Sequence, residues 1–442
     1  MVVAAWLSLC GCHSCVPVVP ANSDGGRCEQ PGAWVHDSVG YHAVAGLDRP
    51  GSDLSYLRLP EGFCARWYGR VGNPRQLRFA PSGELFVASP TNGTTSNGPQ
   101  GRAEIVLLPD DDGDGLADGL LTWRSGLAST QGLLFTDGGF WFQDGIRIMR
   151  EPYAPKDRAP HGTAEQVATI DVFASVGHWP KTMDISDDGT VYVSNGGDQG
   201  EACDVSKPFR GGILAIEADA GAPGGARQVT RGLRNPIYVR CHHDGHGLCF
   251  ANELARDYSA DIGGREKLIA IRDGDDWGYP CCGSKDVPYE DVCLGCSVQT
   301  QTPADSVAMC KNALLCSPQC AGVMPESDSF VIGDTPFGLE FVDGQFPSPW
   351  DHRVYVAAHG AFGTWVGARV VAIAFDPSTG LPFGGTNLPG KDAGAMVDFL
   401  TGWDDGSRSH GRPTDVTVSA DGRLFVSNDQ TGDIIWVAPI GR

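Results

Sequence analysis

The sequence predicts an all-β chain folded as a six-bladed β-propeller, and two observations carry that prediction. One phrase, Arg412-Pro-Thr-Asp-Val-Thr-Val-Ser-Ala-Asp-Gly-Arg-Leu-Phe-Val-Ser-Asn428, occurs along the chain in six versions. It reads as a polar loop, a short alternating strand, a tight turn at Asp421-Gly422 and a second strand, and an Asp-Gly pair between alternating runs is a strong hairpin signal. The second observation is that no long apolar stripe of period 3.6 appears, so helices are few. One hairpin cannot bury its own apolar face, so a repeated hairpin implies stacked units. Radial stacking covers both faces of each small sheet without long exposed edges. A β-sandwich rich in Asp-Gly turns is the alternative.

The versions come in order. Leu77-Arg-Phe-Ala-Pro-Ser-Gly83 leads into Glu84-Leu-Phe-Val-Ala88, and Gly132-Leu-Leu-Phe-Thr-Asp-Gly138 into Gly139-Phe-Trp-Phe142. Met183-Asp-Ile-Ser-Asp-Asp-Gly189 leads into Thr190-Val-Tyr-Val-Ser194, and Tyr238-Val-Arg-Cys-His-His-Asp-Gly245 into His246-Gly-Leu-Cys-Phe250. A stretched version joins Phe337-Gly-Leu-Glu-Phe341 to Arg353-Val-Tyr-Val-Ala357, and the copy at Arg412 is the sixth. Further strands are expected at Glu104 to Leu108, Gly145 to Met149, Gly212 to Ile216, Lys267 to Ile271, Ala368 to Phe375 and Asp433 to Val437. The first four turns fall roughly 50 to 60 residues apart, the length of a four-stranded blade with a loop.

The chain has 442 residues with a formal charge of −21, which argues against a nucleic-acid partner because binders meet phosphates with Lys and Arg. No stretch of about 20 apolar residues follows the start, so no membrane-spanning helix is expected. Residues 1–12 look like the end of an export signal, and Leu9-Cys10-Gly11-Cys12 resembles a bacterial lipobox with Cys12 as the lipidated residue. Residues 13–52 then read as a tether and 53–442 as the propeller, which makes the chain an exported, periplasmic or cell-surface lipoprotein. Nine of the 15 cysteines lie between Cys241 and Cys320. Those from Cys281 onward fall in an insertion at about 281–330, between blades 4 and 5. In an exported chain this is a disulfide-stapled loop; a zinc knot on Cys293-Leu-Gly-Cys296 is the rival. No Cys-x-x-Cys-His occurs, so covalent haem is excluded.

A propeller binds ligands where its loops converge on the central channel, so the residues just ahead of each inner strand are the candidates. They are Arg75 and Gln76, Gln131, His178 and Lys181, Arg234 and Asn235, Thr335, and Arg412. Polar and cationic groups aimed at one mouth would make an anion-binding funnel inside an acidic protein.

Gly232-Leu-Arg-Asn-Pro236, followed by Asp275-Asp-Trp-Gly-Tyr-Pro280, resembles the signature of the soluble glucose/sorbosone dehydrogenases, six-bladed quinoproteins that use pyrroloquinoline quinone (PQQ) and calcium. Gly177-His-Trp-Pro-Lys-Thr182 is similar to that family's catalytic-histidine repeat. Phe346-Pro347, Tyr355-Val-Ala-Ala-His-Gly360 and Gly411-Arg-Pro-Thr-Asp415 resemble its sorbosone branch. The likeness covers roughly Leu57 to Val437. It implies that His178 is the general base for a substrate hydroxyl, and that Arg234 stabilises charge developing on the cofactor. It further implies that Gln131, Asn235 and Arg412 hold the cofactor's rim and carboxylates, Arg412 through a bidentate fork. Lys181, Thr335 and His359 are taken with them as cofactor-binding; His359 falls where many relatives place a lysine, and Thr414 where some place a second arginine.

The family's calcium is held partly by backbone carbonyls, which here would be those of Leu254 and Ala255, with Glu266 among the acidic neighbours able to add oxygen ligands. A separate loop, Asp110-Asp-Asp-Gly-Asp-Gly115, alternates Asp110, Asp112 and Asp114 as in a calcium-binding loop, with Asp118 near the ninth position. The resemblance implies an aldose or related sugar or alcohol as substrate, oxidised by hydride transfer to PQQ, and an external electron acceptor. The alternatives are a non-catalytic surface propeller binding glycans, and a calcium-dependent lactone hydrolase.

Overall fold

The structure, a computed structural model, describes residues 18–19, 26–92, 99–137, 139–170, 178–197, 211–217, 225–256, 265–289, 320–331, 333–361, 366–382, 396–407 and 409–441. Six small antiparallel sheets follow one another along the chain as the blades of a propeller. Blade 1 comprises Leu77–Phe79, Leu85–Ser89, Glu104–Leu108 and Leu121–Ser125. Blade 2 comprises Leu133–Thr136, Gly139–Asp144, Arg147–Glu151 and Glu165–Thr169. Blade 3 comprises Met183–Ile185, Thr190–Asn195, Gly212–Glu217 and Arg227–Gln228. Blade 4 comprises Asn235–His242, Leu248–Leu254, Glu266–Ala270 and Asp328–Phe330. Blade 5 comprises Pro336–Val342, Arg353–Ala358, Arg369–Asp376 and Met396–Leu400. Blade 6 takes Pro413–Val418, Leu424–Asn428 and Asp433–Pro439 from the end of the chain, and its outer strand, Phe63–Arg70, from near the start. That last pairing closes the ring.

The period of two in each strand explains the stacking. In blade 1, Leu85 and Val87 pack towards blade 6 beside Phe425 and Trp436. Phe86 and Ala88, one residue out of phase, pack towards blade 2 beside Phe140 and Phe142. An apolar layer of this kind fills each of the six blade interfaces, so the core is a ring of inter-blade layers around a polar channel. This arrangement excludes the sandwich.

The repeated turn is a three-residue loop rather than a two-residue one. Ser419 donates its N–H to the Arg423 carbonyl, and its own carbonyl accepts the N–H of Gly422. The same pair of bonds recurs at Ser186 with Thr190 and Gly189. Gly189 and Gly422 sit at φ +87° and +84°, the left-handed region that closes such a loop and that a side chain strains.

One stretch differs from expectation. Residues 26–52, expected as part of a tether, are built into the body: Trp34–Asp37 pairs with Phe63–Arg70, Gly40–Val44 pairs with Trp34–Asp37, and Cys28 is disulfide-bonded to Cys64. The reason is burial, since Trp34 joins the layer between blades 5 and 6, and Cys28, Val35 and Val44 join the layer between blades 6 and 1. The cysteine-rich insertion is anchored by a Cys282–Cys320 disulfide, and Cys281 is also disulfide-bonded. Residues 290–319 between those anchors, like Cys12 and the signal-like segment, lie outside the described residues. No helix among the described residues is long and apolar enough to cross a membrane.

Candidate active site

At five of the six junctions a blade is clasped to the next by a polar side chain near the head of its inner strand. The Gln76 Oε1 accepts the Leu133 N–H at 2.8 Å, and the Gln143 Oε1 accepts the N–H groups of Gln131 and Lys181, each at 3.0 Å. The Thr182 hydroxyl donates to the Ile237 carbonyl (3.0 Å), and the Asn252 amide donates to that of Phe337 (2.8 Å). Around the closure, Thr414 donates to the Pro74 carbonyl at 2.9 Å, and Asp415 accepts the Leu77 N–H at 2.7 Å. These bonds fix the heads of the inner strands around one mouth. They also give Thr414 a structural partner where an arginine was the family expectation.

On one side of the mouth stand His178, Arg234 and Asn235. His178 is 1 % exposed, and its Nδ1 contacts the carbonyl of Gly197. That contact places the proton on Nδ1 and leaves Nε2 as an acceptor. Burial, with Arg234 nearby, pushes the imidazole down to about 3, against the opposing pull of the Gly197 carbonyl, so the ring is neutral at ordinary pH. The backbone N–H of Gly197 in turn donates to the Arg234 carbonyl at 2.7 Å. At Gly196 a Cβ would lie 2.7 Å from the His178 Cβ and 2.9 Å from the Asn235 Oδ1, so the absence of a side chain there lets the two approach. Glu253 accepts the Arg234 N–H (2.7 Å) on one oxygen and Lys267 (2.7 Å) on the other. Lys181 donates to the carbonyls of His178 and Pro180, both at 3.2 Å, and burial lowers its amine to about 7.

On the other side Asp429, 1 % exposed, accepts from Arg75 at 3.1 Å and from His359 at 3.0 Å through the same oxygen. The Phe337 ring stacks on the His359 ring at 4.2 Å, and the Arg75 guanidinium lies over the Phe337 ring at 5.5 Å. Burial and Arg412 push His359 down to about 3, which leaves it neutral, with its Nε2 proton directed to Asp429. Burial alone would raise the Asp429 carboxyl, but its contact with His359 and the guanidiniums of Arg75 and Arg412 hold it at about 2. Arg412 donates its Nε to the His359 carbonyl and its Nη2 to that of Gly360, each at 2.9 Å. The fork expected to face a ligand carboxylate is therefore largely spent on the backbone, and Nη1 is what remains.

Below the mouth an ion network spans the channel. Arg78 of blade 1 meets Asp184 of blade 3 at 2.8 Å; Arg240 of blade 4 lies 3.8 Å from Asp184 and 3.5 Å from Glu340 of blade 5. Thr417 of blade 6 donates to Glu340 at 3.0 Å. Burial raises Glu340 to about 7 and lifts Asp415 well above the usual carboxylate range. The mouth therefore has a charged floor.

Several buried polar atoms lining this region have no protein partner: both amide atoms of Gln131, the Nε2 of Gln76 and the Oδ1 of Asn235. Such orphans are costly unless a ligand or water satisfies them. This donor and acceptor set suits a flat, carbonyl- and carboxylate-bearing molecule. The seat expected for calcium is a poorer match. The Ala255 carbonyl accepts Arg234 Nη1 at 2.8 Å, and a Glu266 oxygen accepts the Thr335 N–H at 2.5 Å. Leu254 is paired in the strand opposite Asn235. In the outer loop of blade 1, Asp110, Asp112 and Asp118 bring oxygens within 4.8 Å of one another. Asp114, expected with them, instead accepts the Leu116 N–H at 2.7 Å.

The structure thus gathers His178, Arg234, Asn235, Gln131 and Lys181, and separately Arg412 and His359; Thr335 is tied to Glu266 at the edge. Asp429, Gln143 and Gly197 had not been singled out as site residues, and Glu253 had been weighed only among the acidic neighbours of the calcium seat. All four belong to or follow second strands, whose tails reach the same mouth as the heads of the inner strands, and that antiparallel geometry is the signal that would have found them.

No protein-family model matches the chain, and neither does any curated protein. Solved structures do. The holo form of the PQQ domain of pyranose dehydrogenase from Coprinopsis cinerea superposes with a TM-score of 0.64 at 19 % identity, over 86 % of this chain and 97 % of that one. The calcium structure of a family AA12 carbohydrate-active enzyme from Trichoderma reesei gives 0.65 at 19 % identity, over 87 % and 97 %. The PQQ-bound aldose sugar dehydrogenase from Streptomyces coelicolor gives 0.53 at 16 % identity, over 86 % and 99 %. At these identities the likeness shows a common fold.

Proposed function

We propose that this chain is an exported sugar oxidoreductase of the quinoprotein type, with PQQ held in the mouth and an aldose or related sugar or alcohol as substrate. The observation that carries the reading is a neutral His178, its Nε2 free to accept, set among buried polar atoms of Gln131 and Asn235 that lack partners. When bound, PQQ supplies a two-electron hydride acceptor. The chain supplies the rest. His178 takes the proton of the substrate hydroxyl on Nε2, while Gly197 fixes the tautomer that makes this possible. Arg234 places a cation beside it, braced by Glu253 and the Ala255 carbonyl. Gln131, Asn235 and the Nη1 of Arg412 hold the cofactor's polar rim, and Lys181 adds charge below pH 7. Nothing is routed through calcium, because Ala255 and Glu266 already have partners. Electrons leave to an external acceptor.

The test is a titration of the purified apo-protein with PQQ, with and without Ca²⁺, followed by absorbance and then by bleaching with a panel of aldoses. Saturable binding, with bleaching lost in His178→Ala, is the expected result. An absence of binding at micromolar PQQ in both conditions would sink the reading.

A further inference from the structure

The segment His178-Trp-Pro180 has all three of its carbonyls taken by buried side chains. Lys181 Nζ donates to those of His178 and Pro180, each at 3.2 Å, and Gln143 Nε2 donates to that of Trp179 at 2.8 Å. Gln143 also accepts the Lys181 N–H (3.0 Å) and donates to Gly145 (3.0 Å), so it is itself fixed at both ends of its amide. The backbone beside the candidate base is therefore held rigidly from within the protein. His178 and Pro180 are buried, whereas Trp179 between them is half-buried.

That indole is unusual in this molecule. Seven other described tryptophans are buried in the blade layers or beneath them, and Trp350 packs on Phe399 at 5.1 Å. Among the described residues, no ring or cation covers the face of Trp179 and nothing accepts its Nε1–H. An exposed indole costs free energy by wetting apolar surface, and rigid, half-exposed tryptophans are typical of places that meet a partner with one apolar face and one polar edge.

We propose that Trp179 is a stacking platform for the pyranose ring of the substrate, and so the residue that selects cyclic sugars over open-chain alcohols. A pyranose presents an axial C–H face to an indole and hydroxyls at its rim, and a platform next to His178 would bring one of those hydroxyls to Nε2. The partly exposed Trp179 suits the molecule that comes and goes; the buried Gln131 and Asn235 suit the one that stays. The inference rests on the oxidoreductase reading for its chemistry but not for its binding.

Two measurements on the full chain separate them. The first titrates apo-protein with methyl glucosides and follows tryptophan emission. A saturable change in the wild type, absent in Trp179→Leu, is expected, and unchanged emission overturns the platform. The second compares PQQ-loaded wild type, Trp179→Leu and Trp179→Phe. In Trp179→Leu the KM for aldopyranoses should rise roughly threefold to tenfold, the factor that aromatic stacking carries. The KM for glycerol and the affinity for PQQ should stay unchanged, and Trp179→Phe should recover part of the loss. A loss of PQQ affinity instead, or an equal rise for glycerol, refutes the assignment. If no PQQ binds but sugars still perturb Trp179, the platform stands and the oxidoreductase reading falls; turnover indifferent to Trp179 gives the reverse.

Discussion

His178 and Gln131 show how single residues in the mouth combine readiness for chemistry with a cost to the fold. The Gly197 carbonyl holds the His178 proton on Nδ1, and burial with Arg234 keeps the ring neutral down to about pH 3. Activity should therefore show no acid limb near 6.5, the ordinary histidine value, when kcat/KM is measured from pH 4.5 to 7. A half-point near 6.5 that disappears in His178→Asn would contradict the geometry. The same variant should lose roughly 10²- to 10⁴-fold in rate, as expected for removal of a general base, with its circular dichroism unchanged. Gln131 makes the complementary case. Both of its amide atoms are buried without a partner, and an unsatisfied buried polar group costs about 1–3 kcal/mol. Gln131→Leu should therefore make the apo-protein more stable to urea by about 1 kcal/mol while weakening PQQ binding. Opposite signs in the two measurements identify a residue kept for a ligand; a loss in both would mark it as structural.

At the scale of elements, the hairpins were legible because each is local: alternation, an Asp-Gly or Ser-Gly turn, alternation again. The strands at Glu104–Leu108 and Gly212–Glu217 fell where the pattern put them. The outer strands were not legible, because Glu165–Thr169 and Arg227–Gln228 are short edge strands of mostly polar residues, and the adjacent buried pair Val167 and Ala168 shows no period of two. Nor was the closing strand, since Phe63–Arg70 finds its partner Asp433–Pro439 across nearly the whole chain. The site divides in the same way. Residues at the heads of inner strands could be read off each repeat, whereas Asp429 and Gly197 act through contacts that no local pattern encodes. Gln143 sits on this boundary, as a second-strand residue that holds both Gln131 and the His178–Lys181 segment. Gln143→Leu would leave the N–H groups of Gln131 and Lys181 and the Trp179 carbonyl without their partners. At about 1 kcal/mol or more for each group left buried and unpaired, a loss of at least about 3 kcal/mol follows, measurable by urea denaturation. In the PQQ-loaded protein the sugar KM should rise with it, since Trp179 and His178 are carried on that segment.

Over the whole molecule, the mouth and its floor pull in opposite directions as pH changes. His178 and His359 are lowered to about 3 in the folded chain from 6.5. Between those values the unfolded chain binds protons that the folded one does not, so both groups make stability rise with pH. Glu340 is raised to about 7 from 4.5, and Asp415 is raised as well. Over that window the folded chain holds protons that the unfolded chain has released, so these two make stability fall as pH rises. Glu340 thus offsets one of the two histidines between about pH 4.5 and 6.5, and the raised Asp415 pulls in the same direction as Glu340, although the molecule carries a formal charge of −21. Glu340→Gln tests this without touching the mouth. Its amide oxygen can still accept the Phe341 N–H that Glu340 accepts at 3.1 Å, but it no longer titrates. The slope of unfolding free energy against pH should steepen by up to about 1.4 kcal/mol per unit between pH 4.5 and 7, the value of one proton. Relative to wild type, the variant should gain most above pH 7 and least at pH 4.5. Urea melts at half-unit steps would show this directly, and parallel curves for the two proteins would mean that Glu340 is already ionised in the fold and that the floor carries one more negative charge than burial allows.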